Sequence, residues 1–479
     1  MKPTKEQQDI VRAEPEQGGT LLVSAFAGTG KTATLRMFAE RRPKSRILYL
    51  AFNRAIAKEA NRKFSDMPHV EARTVHSLAF GHKGSPFKDR LGNLRVYDLR
   101  DMHITSSLHR ARQILEAFRK YLNSAVQDPR ELSYDISTRA EKNKVLEGVS
   151  RLWERTTDPH SNGAVPHDVY LKLFQLGGPE LPYDYILVDE AQDLTDCVID
   201  IVRRQPAKKV FVGDSHQQIY GWRGAVDSLV KLQSESRHLF LTQSFRCPEH
   251  AARKANQYLW LLGSPKPIRG LPRARVRNRQ RAYIARTNAV VFDTAASLDL
   301  TRNRVHFLGG FDSYNFQAIV DARKLLNNSP EKLWDSFMRR FESAADFEEY
   351  VDEAGELDLK ARLEIAKKYT RAEELYRTLR NNCVASQQEA DIVVTTAHKA
   401  KGQEFGCVDI RGDFLDLGDV LRQTGSQEKI RVPREELNLL YVAITRTQGQ
   451  LDLDRKYILD REMLTRISKL IRSGRIELS

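Results

Sequence analysis

Residues 20–32, TLLVSAFAGTGKT, constrain the fold of this chain more than any other stretch of its sequence. The apolar run Leu21–Val23 predicts a short buried strand, and Lys31–Arg41 predicts a helix. Between them lies a loop of small residues, in which Gly28 and Gly30 let the backbone curl until its N–H groups converge on one anion. The order of strand, glycine-rich loop and helix is that of a phosphate-binding P-loop.

The residues of this loop have separate expected roles in binding a nucleotide. We expect Lys31 to reach the β and γ phosphates, and the Thr32 hydroxyl is placed to bind Mg²⁺. Ala25 stands where the general pattern has glycine, but alanine is still small. The alternative, a chance glycine-rich turn, does not account for the flanking strand and helix. The backbone expected around the phosphates is that of Ala27, Gly28, Thr29 and Gly30.

Length and composition limit the class of protein. A chain of 479 residues is too long for one ordinary core, so two to four domains are expected. A net charge of +14 favours a polyanionic partner, although a basic soluble protein would show the same balance. No apolar run approaches the length of a bilayer span, and no secretory signal follows Met1. The four cysteines are scattered, which indicates a reducing compartment. We therefore expect an intracellular protein without a membrane, cytoplasmic in a prokaryotic or viral setting and nuclear in a eukaryote.

Buried strands alternate with helices in the first half of the chain. Ile47–Ala51, Val70–Thr74, Tyr185–Val188, Lys209–Val212 and His238–Leu241 are predicted strands. Such alternation predicts an α/β fold with a parallel sheet covered on both faces. Between the predicted strands Val70–Thr74 and Tyr185–Val188 the pattern becomes helical, for example over 102–122 and 140–154. The predicted first domain spans 1–80 and 179–242, with a helical insertion over 81–178.

The second half repeats this organisation. Strands are predicted at 283–285, 305–308, 391–395, 406–410 and 450–453, and a helix at 435–445. The segment from about 328 to 386 is helical, with an acidic stretch near 347–356. The predicted second domain spans 243–327 and 387–479, and 328–386 is a short helical insertion. The sequence thus predicts two parallel-sheet α/β domains, each with a helical insertion.

Two carboxylates follow the strand Tyr185–Val188. Side chains at the carboxyl ends of parallel strands gather at one edge of the sheet. Asp189 is suited to hold Mg²⁺, usually through water, and Glu190 is suited to polarise an attacking water. Acidic residues often follow strands, so the prediction depends on the P-loop in the same chain.

The stretch 213–224 combines a polar turn with aromatic residues. Gln217 could sense the γ phosphate, and Tyr220 and Trp222 could stack on nucleic-acid bases without regard to their sequence. The alternative is that both aromatic side chains belong to the core, which the flanking glycines Gly221 and Gly224 disfavour.

Two arginines, Arg246 and Arg446, follow strand or helix patterns far along the chain. Arginine is the preferred side chain for neutralising the charge that phosphoryl transfer spreads over equatorial oxygens. From composition alone, each fits a surface ion pair better than a catalytic role.

Taken together, the motifs resemble those of superfamily 1 DNA helicases of the UvrD/Rep/PcrA type, and within them the helicase part of the F-box DNA helicases. The matching runs occur in family order along nearly the whole chain. They are Gln7 within 4–8, then 25–32, 51–54, 73–77, 188–193, 213–224, 243–246, 284–288, 309–310, 395–405 and 440–446.

The resemblance implies two RecA-like P-loop domains with ATP and Mg²⁺ between them. It implies that Gln7 reads the adenine, that Phe245 lies beside the nucleotide, that Glu404 binds the ribose, and that Arg246 and Arg446 reach the γ phosphate. Lys31, Glu190 and Gln217 would complete the catalytic set. The residues implied for the single-strand groove are Phe52, Asn53, Thr74, His76, Tyr220, Trp222, Arg223 and His398.

Three departures from these relatives stand out. Ala33 and Phe245 occupy positions where relatives often clamp adenine with an arginine and a tyrosine, so base preference rests more on Gln7. The chain begins almost at Gln7, so no F-box and no ligase-adaptor role is expected. The insertion over 328–386 is short, so regulation by a large swivelling subdomain is not expected.

The predicted function is an ATP-dependent single-stranded DNA translocase and 3′–5′ DNA helicase acting on single strands and tailed duplexes, in DNA repair or recombination. Three alternatives stay open. The chain could remove proteins from single-stranded DNA with little unwinding, or serve as a helicase-like subunit of a larger nuclease or defence complex. RNA as substrate is also open, because base stacking does not read the 2′-hydroxyl.

Overall fold

The structure is a computed structural model that describes residues 2–134, 136, 138–221, 224–274, 276, 280–329, 332–354, 356–423 and 429–479. Its contacts divide the chain into two compact units. Unit 1 comprises Met1–Ala25 with Gly30–Leu241, and unit 2 comprises Phe26–Thr29 with Thr242–Ser479.

Unit 1 contains six strands and ten helices among its described residues. The strands are β1 (Thr20–Ala25), β2 (Ile47–Ala51), β3 (Val70–Thr74), β4 (Tyr185–Val188), β5 (Lys208–Gly213) and β6 (Arg237–Leu241). The helices are α1 (Lys5–Arg12), α2 (Lys31–Glu40), α3 (Arg54–Lys63), α4 (Val75–Ala79), α5 (Asp98–Asp101), α6 (Leu108–Asn123), α7 (Arg139–Thr157), α8 (His167–Gly177), α9 (Asp196–Arg203) and α10 (Ser228–Lys231).

The six strands form one parallel sheet in the order β3-β2-β4-β5-β1-β6. Successive side chains of a strand point to opposite faces, and both faces are covered here. Leu48 and Leu50 of β2 pack into one hydrophobic cluster with the helices of the insertion. Ile47 and Tyr49 of the same strand pack on the other side with residues of α1, α2 and α3.

Unit 2 contains nine strands and ten helices among the residues described for it. The strands are β7 (Gln243–Pro248), β8 (Arg269–Leu271), β9 (Arg281–Ala285), β10 (Val305–Phe307), β11 (Ile392–Thr396), β12 (Phe405–Ile410), β13 (Ile430–Val432), β14 (Thr447–Leu453) and β15 (Ile476–Leu478). The helices are α11 (Glu249–Leu261), α12 (Asn288–Ala296), α13 (Gln317–Leu326), α14 (Ala344–Ala354), α15 (Leu357–Lys368), α16 (Ala372–Asn382), α17 (Ala397–Ala400), α18 (Leu417–Gln423), α19 (Arg434–Ile444) and α20 (Arg461–Arg472).

The main sheet of unit 2 is also parallel, in the order β10-β11-β9-β12-β14, and two two-stranded sheets join β13 to β15 and β7 to β8. Phe292, Phe307 and Phe316 centre a cluster of buried side chains on β10, β11, α12 and α13, and helices α14 to α16 pack against it. Two parallel α/β sheets, each with a helical insertion, confirm the fold class that the sequence predicts, with two RecA-like domains.

One element starts later than the sequence predicts. The helical pattern from 102 begins as a regular helix only at Leu108, because the Ser107 hydroxyl accepts the backbone N–H of Arg110 and caps α6 there. Throughout the described chain, no helix combines the length and the apolar character needed to cross a bilayer.

Candidate functional site

The strand order of unit 1 brings three loops to one edge of its sheet. Strand β5 lies between β4 and β1, and all three run parallel. The P-loop follows β1, Asp189 and Glu190 follow β4, and Gly213 ends β5 ahead of Asp214. Because parallel strands end at the same edge, these loops start side by side.

The P-loop backbone has the shape that an anion site requires. Gly28 has a φ of +72° and Gly30 a φ of +83°, both in the left-handed region that favours glycine. Helix α2 begins directly at Lys31, and its N-cap Gly30 provides no side-chain cap for the first N–H groups. Those N–H groups and the positive end of the helix dipole therefore favour a phosphate at this point.

Lys31 and Glu190 form an ion pair, with 2.8 Å between Nζ and Oε1. Burial by itself lowers the pKa of Lys31, but the carboxylates of Glu190 and Asp189 outweigh it, so this pKa lies above its ordinary value. The ammonium is therefore held charged. Glu190 has a φ of +51°, a conformation that costs a non-glycine residue free energy and is found preferentially at functional sites.

Asp189 is buried and hydrogen-bonded at both oxygens. Its Oδ2 accepts the hydroxyl of Tyr49, and its Oδ1 accepts the backbone N–H of Glu190 at 2.9 Å. Burial and the neighbouring Glu190 carboxylate raise the pKa of Asp189 above its ordinary value. A divalent cation beside this carboxylate would offset both effects and keep it ionised.

The donor set fits Mg²⁺ in the way that nucleotide enzymes hold it. Asp189 provides a carboxylate and Thr32 a hydroxyl, which are hard oxygen ligands. Thr32 also lies near the hydroxyl of Tyr49, the residue that contacts Asp189. Across the described residues no group of three or more His, Cys, Asp or Glu side chains forms a metal cage. Mg²⁺ bound here would keep waters and substrate phosphates as its remaining ligands.

Gln192 connects the two acidic loops, which the sequence did not predict. Its Nε2 donates to Glu190 Oε2 at 2.7 Å, and its Oε1 accepts the backbone N–H of Asp214 at 3.0 Å. Asp214 Oδ2 in turn accepts from Gln217 Nε2 at 2.7 Å. A Cβ on Gly213 would lie 2.4 Å from Gln192 Oε1, so only glycine leaves room for this arrangement. The resulting chain of contacts runs from Lys31 through Glu190, Gln192 and Asp214 to Gln217.

We expect Gln192→Leu to lower kcat for ATP hydrolysis by about 10–100-fold, because it removes the group that positions Glu190 and Asp214. The KM for ATP should change much less, since Gln192 does not occupy the P-loop. Steady-state kinetics at several ATP concentrations measure this split. Gln175→Leu is the matched control, because Gln175 is equally buried but bonds Asp200 in the helical region. An equal loss of kcat in both variants would contradict the positioning role.

Gln7, the residue expected to read adenine, lies in α1 and is buried. Its Oε1 accepts the N–H of Thr4, which closes a capping box, and its Nε2 donates to Thr34 Oγ1 at 3.2 Å. Thr34 Oγ1 itself donates to the carbonyl of Gly30 in the P-loop. The side chain of Gln7 is therefore tied through one residue to the loop that it is predicted to serve, and Ala33 beside Thr34 is exposed.

Residues Phe26–Thr29 of the P-loop belong to unit 2, and their backbone atoms form hydrogen bonds with other residues of that unit. Ser244 Oγ donates to the carbonyl of Ala27 at 2.8 Å, and the N–H of Phe245 donates to the carbonyl of Gly28 at 2.8 Å. The N–H of Ala27 donates to the hydroxyl of Tyr441 at 3.2 Å. These contacts fix the backbone of the motif around Phe245, directly before Arg246.

Arg246 pairs with Glu404, with 2.9 Å between Nε and Oε2. The sequence assigns these two residues separate roles, one at the phosphate and one at the ribose, and did not predict that they meet. Arg246 is about one-fifth exposed at its side chain and Glu404 about two-fifths, so the pair is accessible from solvent. Either group can exchange this partner for a ligand at modest cost.

Arg446 is buried, so the expectation from composition that it forms a surface ion pair is wrong. It is 1% exposed. Its Nε donates to the carbonyl of Val442 at 2.9 Å, and its Nη2 donates to Thr445 Oγ1 at 3.0 Å. A third donor, Nη1, lies 3.4 Å from the carbonyl of Gln403. The guanidinium is thus held firmly by the end of α19 and the loop before β12.

The residues predicted for a nucleic-acid groove fall into separate groups. In unit 1, the rings of Phe52 and Tyr220 stack with centroids 6.0 Å apart and planes 10° apart. His76 Nε2 lies 2.9 Å from Asp168 Oδ1, an acidic partner that the sequence did not predict. Both members of that pair are about two-fifths exposed.

Other members of the predicted groove have a local structural function. The side chains of Asn53 and Thr74 cap α3 and α4 by accepting backbone N–H groups. His398 lies in unit 2, on α17, with its Nε2 3.7 Å from Glu435 Oε1. Trp222 and Arg223 lie outside the described residues.

The motif at 284–288 proves to be structural within unit 2. Arg286 makes a two-pronged contact with Glu436 at 2.8–3.0 Å. Asp413 accepts the backbone N–H groups of Arg286 and Thr287 at 2.8 Å each. Thr287 also caps α12. This network ties β9 to α19, the helix whose C-terminal end leads to Arg446.

Comparison with known proteins identifies relatives of this chain. Residues 7–223 match the family described as AAA domain. F-box DNA helicase 1 of Gallus gallus is 31% identical over 94% of this chain and 48% of its own length. F-box DNA helicase protein 1 of Schizosaccharomyces pombe is 30% identical over 94% of this chain and 57% of its own length. The chain therefore spans about half the length of these relatives.

A bacterial relative shows the same likeness over a shorter stretch. ATP-dependent DNA helicase PcrA of Staphylococcus epidermidis is 26% identical over 55% of this chain and 40% of its own length. The P-loop, the acidic pair after β4 and the ordered motifs of unit 2 agree with these likenesses. The family match and these relatives together support a superfamily 1 helicase of the UvrD/Rep/PcrA type.

Proposed function

We propose that this chain is an ATP-dependent single-stranded DNA translocase and 3′–5′ DNA helicase that serves DNA repair or recombination. The observation that carries the proposal is the connected set Lys31, Glu190, Gln192, Asp214 and Gln217 at the P-loop. That set has the charges and hydrogen-bond donors that phosphoryl transfer requires. The relatives compared above are named as DNA helicases, which supports DNA as the substrate.

The Lys31–Glu190 pair suggests how phosphate binding prepares hydrolysis. A phosphate at the P-loop competes with Glu190 for the Lys31 ammonium. The released carboxylate is then available to orient and polarise the attacking water. Gln192 keeps one oxygen of Glu190 in place during this exchange. Thr32 and Asp189 would hold Mg²⁺, which would neutralise phosphate charge.

The arginines complete the proposed catalytic set. Arg246 and Arg446 neutralise charge on the γ phosphate, and Glu404 binds the ribose when Arg246 leaves it for the nucleotide. Gln7 and the ring of Phe245 hold the base. These roles come from the match of each residue to its family motif, and alanine variants of Arg246 and Arg446 test the roles of the two arginines.

The proposed DNA contacts combine rings and cations. The stacked pair Phe52 and Tyr220 offers a platform for bases, and His76 lies on the same unit. Trp222, Arg223 and His398 extend this proposed groove by their motif positions. The net charge of +14 supports binding to the phosphate backbone, because Lys and Arg release counterions from it.

Strand displacement on matched duplexes tests the proposal most directly. We expect ATP-dependent unwinding of a duplex with a 3′ single-strand DNA tail, and much less with a 5′ tail or an RNA tail. Tyr220→Ala should lower the strands displaced per ATP hydrolysed, with Tyr97→Ala as the control because Tyr97 is exposed and outside the motifs. Unwinding from 5′ tails alone would contradict the polarity. Hydrolysis with filament removal but no unwinding would instead favour the protein-removal alternative.

A further inference from the structure

A groove between α11 and α20 of unit 2 has no part in the proposed catalytic cycle. Its cavity has a volume of about 770 Å³. Leu259, Trp260 and Leu464 contribute apolar surface to it. Trp260 is 47% exposed, which is unusual for a tryptophan on a regular helix. Cavities of this size and composition are typical of ligand and peptide sites.

A second cavity of about 510 Å³ adjoins the end of α11. Leu261, Ile471 and Leu478 line it beside Lys429, Arg434 and Glu477, so apolar and charged side chains share its surface. Both cavities are lined by residues from the C-terminal part of α11 and from α20. We call the two cavities together the α11–α20 groove.

The charges along the α11–α20 groove are mostly of one sign. Arg253, Lys266 and Arg461 line the first cavity, and Lys429 and Arg434 line the second. Among the described lining residues, Glu477 is the only carboxylate. Glu249 pairs with Arg253 at 3.1 Å. Both groups are more than half exposed, so Glu249 offsets little of the positive charge of the groove. An anionic partner is therefore favoured.

Gln257 adds a specific polar feature to the first cavity. Its Nε2 donates to the carbonyl of Leu459, whereas its Oε1 is buried and has no hydrogen-bond partner in the described chain. A buried acceptor without a donor costs about 1–3 kcal/mol. Because this oxygen is enclosed by the protein, it is not open to a ligand in the cavity.

We propose that the α11–α20 groove binds an acidic peptide segment of a partner protein, one that inserts bulky apolar side chains between the two helices. The aliphatic side chains of Leu261, Ile471 and Leu478 suit Leu-type or Phe-type side chains of such a peptide. Trp260 and Arg253 are of the residue types that dominate binding energy at peptide interfaces. A groove between two helices fits an amphipathic helix.

The test uses a fluorescein-labelled peptide of about 16 residues, with Leu and Phe on one helical face and Glu on the other. Fluorescence anisotropy with the full chain should show saturable binding. A peptide with Lys in place of every Glu should not bind. Arg253→Glu with Arg461→Glu, and separately Trp260→Ala, should weaken binding by about tenfold or more. Arg302→Glu is the matched control, because its side chain is 84% exposed outside the groove.

Two further measurements separate this inference from the proposed function. The Lys31→Ala variant should bind the peptide as the unchanged chain does, and the groove variants should keep their DNA-stimulated ATP hydrolysis. Absence of saturable binding, or equal weakening by Arg302→Glu, would overturn the inference. Loss of oligo-dT binding in the groove variants with peptide binding intact would also overturn it and assign the groove to nucleic acid.

Discussion

Lys31→Ala is expected to reduce kcat for DNA-stimulated ATP hydrolysis by about 10³-fold or more, because the transferring phosphoryl group loses its principal cation. Glu190→Gln should reduce kcat to a similar extent, since an amide cannot polarise water as a carboxylate does. Single-stranded DNA binding should change little in both variants, because neither residue belongs to the predicted groove. A coupled phosphate-release assay and anisotropy of a labelled oligonucleotide measure the two properties.

Lys58→Ala is the control for this pair of variants. Lys58 lies on the exposed side of α3, away from the P-loop motif, so its removal tests the effect of losing one positive charge. Hydrolysis near the unchanged rate in either Lys31→Ala or Glu190→Gln would show that the P-loop site is not the catalytic centre. A parallel loss in Lys58→Ala would mean that net charge, and not the site, controls turnover.

Replacing each of the two arginines by alanine is expected to have different effects on protein stability. Arg246→Ala should lower kcat by about 10³-fold with the free energy of unfolding changed by less than about 1 kcal/mol. Its partner Glu404 is two-fifths exposed and remains solvated without it. Arg446→Ala should lower kcat similarly but also cost about 3 kcal/mol of stability, because it empties a buried site and leaves the carbonyl of Val442 without that donor.

Chemical denaturation measures the stability difference, and ATP turnover below the unfolding transition measures kcat. Arg446→Lys sharpens the comparison, since lysine keeps the charge but cannot reproduce the planar set of donors that Arg446 uses. Unchanged stability in Arg446→Ala would contradict its structural anchoring. Unchanged turnover in Arg246→Ala would remove it from the proposed catalytic set.

Local patterns predicted the elements of the core accurately where the strands are fully buried. Strands β2 and β4 have the bounds that their apolar runs indicate, and α2 begins at Lys31 as predicted. Such runs carry their own information, because burial on both faces requires consecutive apolar residues. Short exposed elements such as β8 and β13 carry no comparable pattern and were not predicted.

The chemistry of the site was predictable in kind but not in its connections. The sequence identifies Lys31 and Glu190 as candidates, and the structure pairs them at 2.8 Å. The sequence contains no indication that Gln192 joins Glu190 to Asp214, because that contact depends on β5 ending beside β4. The site roles of these residues stay predictions until the variants are measured.

The sequence by itself determined the P-loop, the parallel α/β class and the acidic pair after β4. The spacing of hydrophobic residues and the positions of glycines are local properties of a chain. The tertiary structure alone decided the strand order β3-β2-β4-β5-β1-β6, the left-handed backbone of Glu190 and the burial of Arg446. The physical reason is that these features depend on which distant segments pack together. Side-chain burial and hydrogen-bond partners are fixed by contacts across hundreds of residues, which no local pattern records.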